Sequence, residues 1–119
     1  DIVGDRLVEK NEPGLLFELV RSPVLWERRI AMVGSFAFIR RGRTEVTTAL
    51  AEKLLNDAED LMHKAAGWML REAGKRDRLA LVGFLERHAG RMPRTMLRYA
   101  IEKFPTTERK HWMRKDQAR

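Results

Sequence analysis

Lys64, Trp68, Arg71 and Lys75 stand 4, 3 and 4 residues apart, so on a helix turning about 100° per residue they share one face. A cationic row with an indole in its middle suits a polyanion that carries flat rings. The cations neutralise phosphate, and the indole lies against a sugar or a base. Met62, Ala65, Ala66, Met69 and Ala73 gather on the opposite side, which is the core stripe. The competing reading makes Trp68 a core residue, the ordinary fate of a helical tryptophan. It would draw three cations inward with the ring, and buried unpaired charge costs several kcal/mol. A partner helix covering Trp68 while the basic side chains reach out to water keeps that reading open.

Arg28 and Arg29 occupy the corresponding part of an earlier segment rich in large apolar residues: Trp26, Ile30, Val33, Phe36 and Phe38. Such a helix is expected to be a central, largely buried element with Trp26 in the core. Its two arginines then need either a carboxylate, Glu27 or Glu45, or an external anion. Arg40, Arg41 and Arg43, and the basic end carrying Arg109, Lys110, Arg114 and Lys115, read as solvated faces. Arg94 and Arg98 are one turn apart, with Glu102 continuing and neutralising their face. His63, His88 and His111 lie far apart, without carboxylates at ligand spacing, so they are read as surface or packing residues; neither a metal nor a cofactor is expected. With no cysteine there is no thiolate chemistry and no disulfide framework, which is compatible with a reducing cytoplasm.

The elements that must position these residues follow from patterning. A chain of 119 residues with 44% apolar content can bury one core, and no apolar run reaches the length needed to span a bilayer. Residues 1–60 carry nine basic and eleven acidic side chains, a balance of −2, whereas residues 61–119 carry fifteen and six, a balance of +9. That asymmetry favours a polyanionic partner. Breakers divide the chain into segments of helical spacing, and no sustained alternation of strand type is present, so the fold is expected to be all-α. The predicted helices run over about Pro23 to Arg40, with Ser22-Pro23 as the start signal, Thr44 to Asn56, Glu59 to Gly74, Asp77 to Ala89, Arg94 to Phe104 and Thr106 to Lys115. Shorter pieces are predicted over Asp1 to Lys10 and Gly14 to Arg21. A weak repeat aligns Leu25 to Met32 with Leu61 to Trp68, and Ala65 to Trp68 with Arg98 to Ile101. The spacing favours a curved stack of helix pairs over a four-helix bundle. Asp1 to Asp5 has no basic region or cleavage site of a leader peptide, and without an initiator Met the chain reads as an excised piece.

The blocks Leu25-Trp26-Glu27-Arg28-Arg29-Ile30-Ala31, Lys64-Ala65-Ala66-Gly67-Trp68-Met69-Leu70-Arg71-Glu72 and Met92-Pro93-Arg94-Thr95-Met96-Leu97-Arg98-Tyr99-Ala100-Ile101-Glu102 resemble successive signatures of the AlkD-like DNA alkylation repair glycosylase family. The resemblance implies a HEAT-like α-α superhelix, of which residues 1–119 would be a single domain forming the C-terminal portion of a larger, monomeric solenoid. Its partner would be duplex DNA with alkylated bases, held on a concave basic face, and its activity the excision of N3- and N7-alkylated purines. It also implies a bacterial cytoplasmic protein associated with the nucleoid during repair. Trp68 matches a tryptophan lining the lesion site, and Arg29 and Arg71 match arginines contacting the DNA backbone; Lys64 joins them as a DNA-binding residue. The family's catalytic aspartate belongs to a Trp-Asp-x-x-x-Asp segment that is not found in this chain. Asp1 to Leu7 resembles the sequence immediately downstream of it, so this chain has no catalytic residue and is expected to be inactive alone.

Alkylation at N3 or N7 makes the base a cationic leaving group, and cleavage builds positive charge on the sugar that a nearby carboxylate would stabilise. The resemblance implies that this occurs without pulling the base into a pocket, unlike the general flipping scheme. A non-enzymatic α-solenoid module that binds a protein or RNA partner through the same face is the alternative, since the fold by itself does not select among functions.

Overall fold

The computed structural model describes residues 5, 6 and 12–117, with side chains up to Arg114. Apart from Asp5 and Arg6, the piece predicted over Asp1 to Lys10 lies outside the described residues. Within them the fold is all-helical, without strands. The order is α1 (Gly14–Leu19), α2 (Leu25–Gly34), α3 (Phe36–Arg40), α4 (Thr44–Lys53), α5 (Asp60–Arg76), α6 (Arg78–His88), a 3₁₀ turn (Ala89–Arg91), α7 (Arg94–Ala100) and α8 (Thr106–Gln117). The molecule measures 40 × 29 × 18 Å, and its thinnest dimension accommodates about two helix diameters.

The hub is α5, which packs against α2, α3, α4, α6 and α7. The expectation that the segment from Pro23 would be the central element is corrected. Its helix breaks at Ser35, immediately after Gly34, a pair of residue types known to bend helices. The break is held by a polar chain inside the core: Thr47 Oγ1 donates to Ser35 Oγ at 2.8 Å, and Ser35 Oγ donates to the Met32 carbonyl at 2.7 Å. Both hydroxyls are fully buried and each has a partner, so the kink carries no unmet hydrogen bond there.

Trp26 is the clearest departure from the sequence reading, because it is 64% exposed rather than in the core. The face that α2 buries is Ala31, Met32 and Gly34, while Ile30 and Val33 are only half-buried. Of the stripe of larger apolar side chains, Phe38 is buried and Val33 and Phe36 pack against the core, so the departure is at its Trp26 end. The weak repeat also fails in register at this point, since Met62, its counterpart to Trp26, is completely buried.

α5 begins with Asp60 and ends with Lys75 and Arg76, charges that complement the helix dipole at both ends. Its predicted core stripe of Met62, Ala65, Ala66, Met69 and Ala73 is buried. Gly74, read as a stop, lies within the helix instead. A β-carbon there would come within 2.5 Å of Leu81 Cδ2, so the glycine permits α6 to approach. The chain turns at Asp77, whose carboxylate accepts from the Ala80 amide at 3.3 Å and caps α6. Gly67 serves the same purpose against α7, since an added β-carbon would lie 2.5 Å from Tyr99 Cβ and 2.6 Å from the Met96 carbonyl oxygen. The close α5–α7 crossing therefore depends on hydrogen at position 67.

Candidate nucleic-acid interface

The outer face of α5 and the nearest parts of α2 and α7 enclose an open cleft of about 300 Å³ lined by Arg29, Leu61, Lys64, Ala65, Trp68, Arg71 and Tyr99. All four residues singled out from the sequence, Arg29, Lys64, Trp68 and Arg71, line this one cleft although they come from two helices. Helical spacing aligns the three on α5. Packing of α2 on α5 brings in Arg29, and the Gly67 crossing brings in Tyr99. Trp68 and Tyr99 are each 37% exposed, so ring surface is open to a ligand while the rest of each side chain is supported.

The cations differ in how far the protein already neutralises them. Arg28 and Arg29 are adjacent, yet Arg28 is committed internally. Its Nε donates to Asp57 Oδ2 at 2.8 Å and its NH1 to the Ser22 carbonyl at 3.1 Å, so its partner is Asp57 and neither Glu27 nor Glu45. Arg29 has no carboxylate partner among the described residues. Its guanidinium lies over the Trp26 ring, 5.6 Å from the centroid, which holds the side chain by a cation–π contact and leaves the charge available. Exposed Trp26 therefore has a role that its apolar spacing concealed.

On α5 the cations have carboxylate neighbours. Lys64 Nζ is 3.6 Å from Asp60 Oδ2, a solvent-exposed i,i+4 pair that contributes little. Lys75 pairs with Glu72 at 3.1 Å and does not line the cleft. Arg71 donates through NH1 to the Glu102 carboxylate, and its Nε is buried without a hydrogen-bond partner among the described residues, the nearest Glu72 oxygen being 4.0 Å away. Glu102 thus meets Arg71 across the helices, and it shares a hollow with Arg98 on its own side. An incoming phosphate would meet Arg29 and Lys64 first, and would share or replace Glu102 at Arg71.

His63 and His88 are held by contacts within the fold. His63 Nε2 contacts the Asp57 carbonyl at 2.6 Å. His88 is buried between Glu52, 2.7 Å from its Nε2, and Arg91, 2.7 Å from its Nδ1, a setting that suits a ring donating at Nε2 and accepting at Nδ1. No group of three or more metal-ligating side chains occurs among the described residues, and no described helix is long and apolar enough to cross a membrane. Arg40 pairs with Asp5 and Arg43 with Glu45, around a turn in which Gly42 adopts φ of +80°, a conformation that favours glycine.

Tyr99 is an aromatic cleft residue that the sequence did not single out, and exposed Leu61 is another lining residue it passed over. Tyr99 sits beside Arg98 in the third signature block, but its position opposite Trp68 depends on the α5–α7 crossing.

The fold and the cleft define an all-helical protein that presents a mixed cationic and aromatic groove. Residues 1–104 match the family described as DNA alkylation repair enzyme, and the chain belongs to that family. No curated protein and no solved structure matches it.

Proposed function

We propose that the cleft between α2, α5 and α7 holds the backbone of duplex DNA next to an N3- or N7-alkylated purine, as the DNA-positioning part of a DNA glycosylase. The observation that carries this reading is the convergence of Arg29, Lys64, Trp68 and Arg71 on one cleft in a chain of a DNA alkylation repair family. Arg29 and Lys64 bind phosphate, Arg71 joins them as Glu102 yields, and Trp68 with Tyr99 forms an aromatic wall against the damaged nucleotide. On this reading the architecture is a HEAT-like superhelix, in which such a cleft is part of a longer concave face.

The reacting carboxylate is the missing component. Among the described residues no carboxylate lines the cleft itself, and the nearby Glu102 is engaged by Arg71. On this reading the chain supplies binding and one wall, and because its sequence holds no Trp-Asp-x-x-x-Asp segment it is expected not to release 7-methylguanine or 3-methyladenine alone. Single-turnover base release should be detected only for a longer chain carrying the family's Trp-Asp-x-x-x-Asp segment. Comparable release by residues 1–119 would place the carboxylate within them.

Binding is tested by duplex titrations at several salt concentrations. Arg29→Ala should flatten the dependence of log K on log salt by about one unit, whether or not a lesion is present. Trp68→Ala should leave that slope intact and, in the active longer chain, lower excision. An unchanged slope for Arg29→Ala would remove it from the interface. Selective binding of RNA or an acidic protein in place of duplex DNA would favour a non-enzymatic module.

A further inference from the structure

We propose that α8, which begins beyond the family match at residue 104, carries a second phosphate-binding surface that grips the same duplex to one side of the cleft. This rests on the DNA reading above.

Thr106, Arg109, Lys110, Met113 and Arg114 fall within one sector of α8 at about 100° per residue, and they line a single hollow of about 410 Å³. The opposite side is the anchor: Trp112 is 7% exposed, and Glu108 is held by Arg78 at 2.7 Å. The outward sector therefore presents three cations, and among the described residues no carboxylate lines its hollow. Arg109 is positioned without a carboxylate partner among the described residues: NH1 donates to the Glu102 carbonyl at 3.3 Å and NH2 to Thr106 Oγ1 at 3.1 Å. Both acceptors are uncharged, so the guanidinium is oriented but keeps its charge for an external anion.

Continuity with the cleft gives the surface a partner. A hollow lined by Arg71, Arg98, Tyr99 and Glu102 shares Arg71 and Tyr99 with the cleft. The next, lined by Arg98, Ile101, Glu102, Arg109 and Met113, leads to the α8 surface through Arg109 and Met113. The track thus runs from Trp68 to Arg114, and among the described residues its carboxylate is Glu102, already engaged by Arg71. A continuous cationic track is complementary to a phosphate backbone. The molecule's 40 Å length corresponds to about 12 base pairs at a rise of about 3.4 Å, so a duplex longer than that outreaches the whole track.

The test uses residues 1–119 with hairpin duplexes whose stems hold about 8 or about 20 base pairs, only the longer exceeding that span. Arg109→Ala/Lys110→Ala/Arg114→Ala should flatten the salt dependence on the long stem by about two to three units and have much less effect on the short one. Lys110→Gln/Arg114→Gln, which changes only exposed side chains, should show the same stem-length selectivity by about two units with unchanged thermal unfolding. If both α8 variants keep the wild-type slope while Arg29→Ala flattens it, the α8 surface is refuted and the cleft reading stands. If the wild-type chain binds neither stem, both are refuted. Loss of binding to a single-stranded RNA or an acidic peptide, with duplex binding preserved, would also overturn the proposal and give α8 that other partner.

Discussion

The corner around Asp57 and the cleft around Trp68 lie at opposite ends of an adjacent arginine pair, and they use charge in opposite ways. At the corner every strong group is answered. Asp57 receives Arg28 and the Glu59 amide, and its carbonyl is met by His63. Arg28 and Asp57 side chains are only 14% and 8% exposed, so this pair joins α2 to the start of α5. At the cleft, one residue further along α2, Arg29 is steadied by an aromatic face and has no described carboxylate. A cation that the protein has already neutralised in its interior is part of the fold, whereas one held in place but left unneutralised beside exposed rings is available to a ligand. Arg71 stands between these cases, because its charge is engaged by a partner that is itself half exposed.

The largest effect should come from breaking the corner. Asp57→Ala leaves the Arg28 guanidinium largely buried without its carboxylate and should destabilise the protein by about 3 kcal/mol, read as a lower urea midpoint with an unchanged slope. A change below about 0.5 kcal/mol, as is usual for surface substitutions, would mean that the corner is no more structural than the cleft. Gly67→Ala comes next. Helix propensity alone would make alanine better by up to about 1 kcal/mol, but the crossing against Met96 and Tyr99 should reverse the sign and cost about 1 to 3 kcal/mol. Duplex affinity should fall with it, because Tyr99 is displaced; a stabilised variant would show that α7 can move away freely. Thr47→Val should cost about 1 kcal/mol by removing the donor to buried Ser35. Arg29→Ala should be the smallest in stability, within about 0.5 kcal/mol, while altering the salt dependence of binding as described above. A large stability loss at Arg29 would assign it to the same class as Arg28.

Local periodicity made some of this legible and tertiary distance hid the rest. The two faces of α5 follow from spacing along one helix, and both the core stripe and the alignment of Lys64, Trp68 and Arg71 could be read directly. Gly74 misled because a glycine costs a helix only about 1 kcal/mol, which packing against Leu81 can offset. Trp26 misled because apolar size was taken for burial, when the residues α2 buries fully are Ala31, Met32 and Gly34. Arg28 and Asp57 are 29 residues apart, and Arg71 and Glu102 are 31 apart. Helical spacing cannot identify partners across such gaps. The same limit concealed Tyr99, whose place in the cleft is set by the close crossing at Gly67.

The central claim is that duplex DNA seats against the cleft, and the three tryptophan side chains provide internal reporters of it. Trp68 lines the cleft, Trp26 underlies Arg29 at its edge, and Trp112 is buried beneath the opposite side of α8. Indole N–H resonances followed by heteronuclear NMR during titration with an alkylated duplex should show Trp68 shifting most, Trp26 less and Trp112 remaining in place. Saturable duplex binding that leaves the Trp68 resonance unmoved would contradict the account, because the DNA would then be held elsewhere on the protein.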